Sequence, residues 1–458
     1  MKSNKYDIII VGGGPSGVAA ALSAGRMGKK TLIIEQFNCL GGVATAGGHG
    51  HISNFEELGT DRRIAGGISD EIANRIVREG YGIRNAHGVD YEVERLKLIL
   101  DDMMEKASVD ILYHTFFCDS IVKNSEIVGV IVQNKSGRQE YMAKVIIDCT
   151  GDGDVGAKAG CDIEIGRDDD NICQPVTMMF TIGGVDIDKV NAFKKEYEKK
   201  YSKDKNPWNL SRIYKEAVEN GDMEPFQTCN MGWWWTATRP DQVGVNFTHV
   251  THIDTTKAED LTRATIIGRK QCYQTIDVYR KYIPGMENCY MISTPNTIGL
   301  RESRRIMGDY VVTEEDLMNQ TYFEDAIGFG SFYIDIHNLD SPGMSETTCY
   351  PPTGFKYQMP YRMLVPKKID NLLVAGRCVS CTHIALGSLR VMVPCMSMGQ
   401  AAGTAAAMSI DENITPRNIS IKLLQAELRK NGGILHDEDI VPAGEFNNNN
   451  NLKREKND

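Results

Sequence analysis

Ile8-Ile9-Ile10-Val11-Gly12-Gly13-Gly14-Pro15-Ser16-Gly17, followed by Thr31-Leu32-Ile33-Ile34-Glu35, is the stretch that decides the fold. Four β-branched residues in a row read as a short strand covered on both faces, as in a parallel sheet flanked by helices. Gly12, Gly14 and Gly17 then fit GxGxxG. The first glycine allows a tight turn, the second lets backbone approach a pyrophosphate, and the third lets a helix pack closely on the strand. Ala19, Ala20, Ala21 and Ala24 continue as that helix, whose positive end faces the phosphates. Glu35 closes the second strand, where a carboxylate meets a ribose and repels a 2'-phosphate. Strand, glycines, helix, strand and acid in sequence predict an α/β dinucleotide-binding unit for FAD or NAD.

Composition bounds the rest. The 458 residues, 41% apolar and 24% charged, suit a folded chain of two or three domains. A net charge of -10 argues against a broad nucleic-acid surface. No apolar run is long enough to span a bilayer, and no signal peptide is read at the start. Twelve scattered cysteines suit reduced thiols in a cytoplasmic setting. No second GxGxxG unit follows, so tight NAD(P)H recognition is disfavoured. There is also no cysteine ladder for an iron-sulfur cluster, and no metal site is assigned.

Five further blocks carry a family resemblance: Leu40 to Thr45 (LGGVAT), Asp148 to Gly156 (DCTGDGDVG), Arg301 to Tyr310 (RESRRIMGDY), Met359 to Pro366 (MPYRMLVP) and Asn371 to Arg377 (NLLVAGR). With them the chain resembles the bacterial FAD-dependent oxidoreductases of the glutathione-reductase-like superfamily, related to the flavoprotein part of heterodisulfide reductase. The resemblance implies a Rossmann-like, glutathione-reductase-type FAD-binding domain with an inserted α+β substrate domain. The expected boundaries are 1–165 for the first part, with an insert at about 56–91, then 166–354 for the substrate domain and 355–425 for the return. A C-terminal extension, 426–458, ends in a disordered tail from 447.

The same resemblance implies that FAD contacts come from Gly12, Gly14, Pro15, Ser16, Gly17, Glu35, Gly41, Gly42, Thr45, Cys118, Thr150, Gly151, Asp152, Gly376, Arg377, Ser388, Gly399, Ala401 and Ala402. Gly399 to Gly403 would start a helix whose positive end stabilises charge on the reduced ring. Asp152 and Asp154 either line the cofactor or cap the following helix.

Chemistry at a flavin needs a substrate carbon over N5 and a group that handles the accompanying proton. His383, between Arg377 and Arg390, is the expected acid or base, unless it is a structural histidine; the carboxylate that often follows it in relatives is Ile384 here. Arg390 and Arg301 are the other two expected catalytic residues. The cluster Arg301, Glu302, Arg304, Arg305 reads either as an anion-orienting group or as an internal ion-pair network, and Tyr361 with Arg362 carries the same two readings. His49 and His51 fall where a flavin's dimethylbenzene edge would lie, as covalent attachment points or as loop histidines. Cys378 and Cys381, the CxxC pair, read as redox thiols or as buried small residues. Trp233, Trp234 and Trp235 alternate faces if extended, so they serve a planar substrate or a core.

The resulting expectation is an FAD-dependent oxidoreductase passing a hydride between a small organic metabolite (CH-OH, CH-NH or CH-CH) and flavin N5. An unidentified acceptor takes the electrons. The alternatives are an electron-relay subunit or a non-catalytic flavin sensor. Oligomeric state is not legible in the sequence.

Overall fold

The strand Ile8–Val11 lies in the middle of a five-stranded parallel sheet, in the order Leu372–Val374, Val145–Asp148, Ile8–Val11, Thr31–Ile34, Asp110–Leu112. The computed structural model describes residues 4–86, 88–204, 206–227 and 232–443. Every residue of Ile8–Val11, Thr31–Ile34 and Val145–Asp148 is buried, as continuous β-branched runs require when helices cover both faces. The edge strand arrives from the far end of the chain, so the sheet is complete only after residue 374.

The helix Pro15–Arg26 starts with proline in its first turn and with Gly14 extended at its cap. Glycine is needed twice in this turn. Gly12 has φ +99°, and a Cβ there would lie 2.3 Å from the Cys149 carbonyl oxygen. A Cβ on Gly17 would lie 1.9 Å from the Gly12 carbonyl oxygen, which is the close helix-to-strand packing the pattern predicts.

A second helix, Met392–Glu412, runs against the first with backbones nearly touching. A Cβ on Gly399 would stand 2.0 Å from the Ser16 carbonyl oxygen, and one on Gly403 2.2 Å from that of Ala20. Small residues at these positions bring the end of the chain onto its beginning. Helices Gly67–Arg78 and Val93–Lys106 complete this layer, burying Ile68, Ile72, Ile76, Leu96, Ile99 and Met103. A three-stranded antiparallel sheet, Phe116–Lys123, Glu126–Asn134 and Gly137–Met142, leads into Val145–Asp148. Asn371 locks it in place: its Nδ2 donates to the Ile127 and Lys144 carbonyls at 2.7 and 3.0 Å, and its Oδ1 accepts from the Ile127 amide at 3.0 Å.

A separate antiparallel sheet holds Gly232–Thr236, Arg239–Asn246, Phe180–Gly183 and Tyr290–Ser293 in that order. The helix Ala258–Tyr282 covers it, with Ile187–Lys200 and Ser211–Glu219 alongside, around a core that includes Ile182, Tyr214, Val243, Val245, Cys272 and Tyr279. Ahead of the strand Phe180–Gly183, Val176 and Thr177 make isolated bridges to Val250 and Gly299. The tryptophans do alternate. Trp233 packs edge-on against Trp208 and Tyr279, while Trp234 turns the other way, its ring 4.9 Å from His49.

At the C-terminal end, position 425 falls inside the helix Ile421–Lys430 rather than between elements. Beyond it, Val441–Pro442 pairs with Arg62–Arg63, and the Leu435 carbonyl accepts from Gln358 Nε2 at 2.9 Å. The segment to 443 is therefore part of the packed structure; the tail expected from 447 lies outside the described residues. Among the described residues no helix is long and apolar enough to cross a membrane.

The helix contact yields a direct test. Gly399→Val forces a branched side chain into the Ser16 backbone, which should cost about 3 kcal/mol and lower the thermal midpoint, read by circular dichroism. A melting curve unchanged from wild type would contradict the packing described.

Candidate active site

A cavity of about 870 Å³ begins at the glycine turn and ends between the two sheets. Its first end is lined by Gly12, Gly14, Pro15 and Ser16, with Glu35, Phe116 and Phe117. Gly42, Thr150, Gly151, Asp152, Gly376 and Arg377 line its middle, and the start of the second helix, Val391 and Met392, faces it too. The far end is walled by Thr177, Asn246, Thr248, Arg301, Tyr333, Asp335, His337 and Arg390.

Glu35 organises the first end. Its carboxylate accepts from the Gly13 amide at 2.7 Å and from the Phe37 amide at 2.8 Å, tying the glycine turn to the end of the second strand. Burial pushes its pKa up against the opposing pull of those amides. In the middle, Asp148 is fully buried and accepts from the Thr150 amide and hydroxyl and, at 2.9 Å, from the Gly156 amide. It holds the Thr150-Gly151-Asp152 turn against the cavity. Asp152 pairs with Arg377 at 2.8 Å, and Asp154 with Arg304. Neither aspartate caps the helix Asp154–Ala159, whose cap residue is Gly153.

These residues fit an extended dinucleotide. Gly14 is open where a side chain would project, with nothing within 4 Å. Arg377 lines the cavity and keeps one buried nitrogen, Nη1, without a protein partner, a donor that a phosphate or ribityl oxygen would satisfy.

Several expected contacts sit elsewhere. Gly17 serves helix packing and does not line the cavity. Gly41 donates its amide to the Gly13 carbonyl at 2.7 Å behind the wall. Thr45 is buried with its hydroxyl on the Leu40 carbonyl and is absent from the lining. Cys118 is outside the lining, which its neighbours Phe116 and Phe117 supply. Ser388 is buried against the Phe332 carbonyl and the Tyr357 hydroxyl. Gly399, Ala401 and Ala402 lie inside the second helix, which starts at Met392; its first turn, not Gly399, faces the cavity.

His383 also sits elsewhere. It is buried away from the cavity, with Nδ1 2.9 Å from the Glu302 carboxylate. Glu302 also pairs with Arg305 and accepts from the Gln174 amide, and both side chains are sealed from solvent. The cluster thus splits: Glu302, Arg305 and His383 form an internal network, while Arg301 reaches the cavity and donates to the Pro175 carbonyl at 2.7 Å. Tyr361 and Arg362 are structural, bonded to the Pro416 carbonyl and to Asp325. Cys378 and Cys381 are fully buried outside the lining, and burial pushes the Cys381 thiol up to about 12. His49 and His51 both line the cavity; His51 is held by Asp90 at 2.6 Å, and burial pushes His49 down to about 3.

The far end holds a group the sequence reading passed over. Tyr333, Asp335 and His337 alternate along an extended segment and all reach the cavity. Asp335 pairs with Arg390 at 2.8 Å. His337 lies 5.6 Å, ring to ring, from His249, whose Nδ1 is 3.2 Å from Gln227 Nε2. Burial, then the nearby Arg301 and Arg390, hold His337 well below the usual histidine range. The period-two spacing of three polar residues was the available signal.

His249 makes the pH consequence measurable. Burial, then Arg301, lower its pKa to about 4, whereas the unfolded imidazole titrates near 6.5. Between these values the unfolded chain binds more protons, so stability falls as pH drops through this window, by roughly 3 kcal/mol from this residue. In denaturant titrations His249→Gln should lose less stability between pH 6.5 and 4 than wild type; equal losses would contradict this.

Comparison with known proteins agrees with this geometry. Residues 7–428 match the family described as FAD dependent oxidoreductase. The chain is 28% identical over 193 residues to digeranylgeranylglycerophospholipid reductase 2 of Methanothermobacter thermautotrophicus, covering 40% of this chain and 48% of that protein. It is 32% identical over 131 residues to a thiamine thiazole synthase of Aeropyrum pernix, covering 29% and 45% respectively. The chain thus spans about half the length of the curated relatives it matches. Among solved structures, a geranylgeranyl bacteriochlorophyll reductase-like protein from Thermoplasma acidophilum aligns over 94% of this chain and 84% of its own, at 15% identity and a TM-score of 0.48. A flavin-dependent brominase aligns over 93% and 83%, at 12% identity and a TM-score of 0.44. With the family match running through the opening glycine turn, the Thr150 turn and the returning strand and helix, the chain belongs to the FAD-dependent oxidoreductase family, and FAD is its cofactor.

Proposed function

We propose that this enzyme oxidises a small polar organic metabolite by passing a hydride from a CH-OH, CH-NH or CH-CH unit to flavin N5, with a separate acceptor taking the electrons onward. One observation carries the reading: a single cavity joins the dinucleotide cradle at Gly12 and Glu35 to a chamber holding Arg301, Arg390, Asp335 and His337. Bound FAD supplies two-electron acceptance at N5. The chain's own residues do the rest. Glu35 and the glycine turn hold the adenosine end, Arg377 and Asp152 flank the middle, and the second helix turns its positive end toward the cavity. The order of these blocks along the chain supports a glutathione-reductase-like arrangement of the cofactor.

The walls of the far chamber come largely from residues 166–354, which supports reading that segment as the substrate unit. The name of one relative, digeranylgeranylglycerophospholipid reductase 2, suggests an isoprenoid substrate for this chain too. The lining argues for a polar one instead, since an isoprenoid chain would leave Gln227, Asn246, Arg301 and Arg390 desolvated beside hydrocarbon.

Purified yellow protein, screened anaerobically, should lose its flavin band with an organic donor; rapid bleaching by NADH with failure of every organic donor would overturn the proposal. The cradle is tested separately. Glu35→Gln removes one of two charge-assisted acceptors and should weaken FAD retention about ten- to a hundredfold, read as flavin-to-protein ratio after gel filtration. Full retention would contradict the role given to Glu35.

A further inference from the structure

We propose that the far chamber takes a small 2-hydroxy carboxylate, held through its carboxylate by Arg301 and Arg390, with His337 accepting the hydroxyl proton. This rests on the hydride-transfer reading above and adds its substrate class and its base.

The balance of charge selects an anion. Four carboxylates line the cavity, and three of them, Glu35, Asp152 and Asp154, lie in its first end and middle. At the far end the described lining has Asp335 alone, and it is committed to Arg390 at 2.8 Å. Arg301 adds a second guanidinium, so the chamber is net positive. Arg390 has a side chain only 8% exposed and a buried Nη1 without a protein partner. An unpaired buried donor is costly, and a ligand carboxylate offsets it in the paired geometry guanidinium favours. An amino acid fits less well, because its ammonium would meet two arginines and an aspartate already occupied.

The base follows from position. His337 is 9% exposed and lines the same chamber. Its Nδ1 is sealed without a partner, which leaves Nε2, 3.6 Å from Asp335 Oδ1, as the nitrogen for the cavity. The groups facing the ring are Arg301, Arg390, His249 and Asp335. Burial, and then the two cations, keep the imidazole in its neutral form, the form that can take a proton. Tyr333 and Tyr350, stacked with ring centres 4.8 Å apart, supply an aromatic wall.

The step balances. The substrate C–H bond breaks with both electrons, and this hydride goes to FAD. The O–H bond breaks heterolytically, its proton goes to His337 Nε2, and the remaining electron pair forms the C=O bond of a 2-oxo acid. FAD is reduced by two electrons, and the substrate is oxidised by two.

Calorimetric titration of the holoenzyme with oxalate, and with ethylene glycol as its uncharged counterpart, reads the site without turnover. Oxalate should bind and ethylene glycol should not; Arg390→Lys, checked for flavin content, should weaken oxalate at least about tenfold. Arg301→Lys is the second variant should Arg390→Lys fail to fold. His337→Asn should keep oxalate affinity within about threefold while slowing flavin bleaching by lactate or glycolate by about a hundredfold or more, with the acid limb of the pH profile lost. No oxalate binding, or bleaching as fast by 1,2-propanediol as by lactate, overturns the carboxylate assignment while leaving hydride transfer standing. Unslowed bleaching in His337→Asn overturns the base. Failure of every organic donor overturns this assignment and the hydride-transfer reading together.

Discussion

The contact between the helices Pro15–Arg26 and Met392–Glu412 is the constraint on which the molecule depends. Gly399 and Gly403 let the second backbone approach Ser16 and Ala20 more closely than any side chain would allow. That approach sets the second helix's first turn beside the glycine turn, so one cavity receives both. It also seats Leu372–Val374 against Val145–Asp148, and Asn371 carries the register on to the antiparallel sheet. Tight packing between distant parts of the chain, rather than any local motif, is what makes the opening glycines into a binding site.

Buried charge supports this frame. Glu302, Arg305 and His383 are sealed together, and the Gln174 amide and the Gly166 carbonyl add bonds to Glu302 and Arg305. Such a network is costly to assemble and more costly to break, so it specifies one arrangement of the strand before the returning segment. Arg301, immediately before Glu302, is thereby aimed outward into the cavity. One charged run thus supplies both a structural brace and a chamber wall.

The cofactor end was legible in the sequence because its signals are local. A β-branched run, glycines at fixed spacing and a terminal acid each answer a backbone or solvation need within a few residues. The far chamber was not, because Asn246, Arg301, His337 and Arg390 come together only through tertiary packing. His383 shows the limit well: it sits beside the cofactor blocks in sequence, but the short helix His383–Leu389 turns it toward Glu302 instead. Gly399 misled for a different reason. Glycine there marks close approach, whereas the true helix start at Met392 was signalled by Pro394, which only a first turn tolerates.

The late position of the sheet's edge strand has a consequence for biosynthesis. A ribosome delivers Ile8–Val11 and the glycine turn long before Leu372–Val374 and the helix that covers them. Until then the nascent polypeptide exposes an unpaired strand flank and an uncovered alanine-rich helix face, surfaces that invite chaperone capture. The cradle for the prosthetic group is therefore closed only after Leu372–Val374 and the second helix have been made.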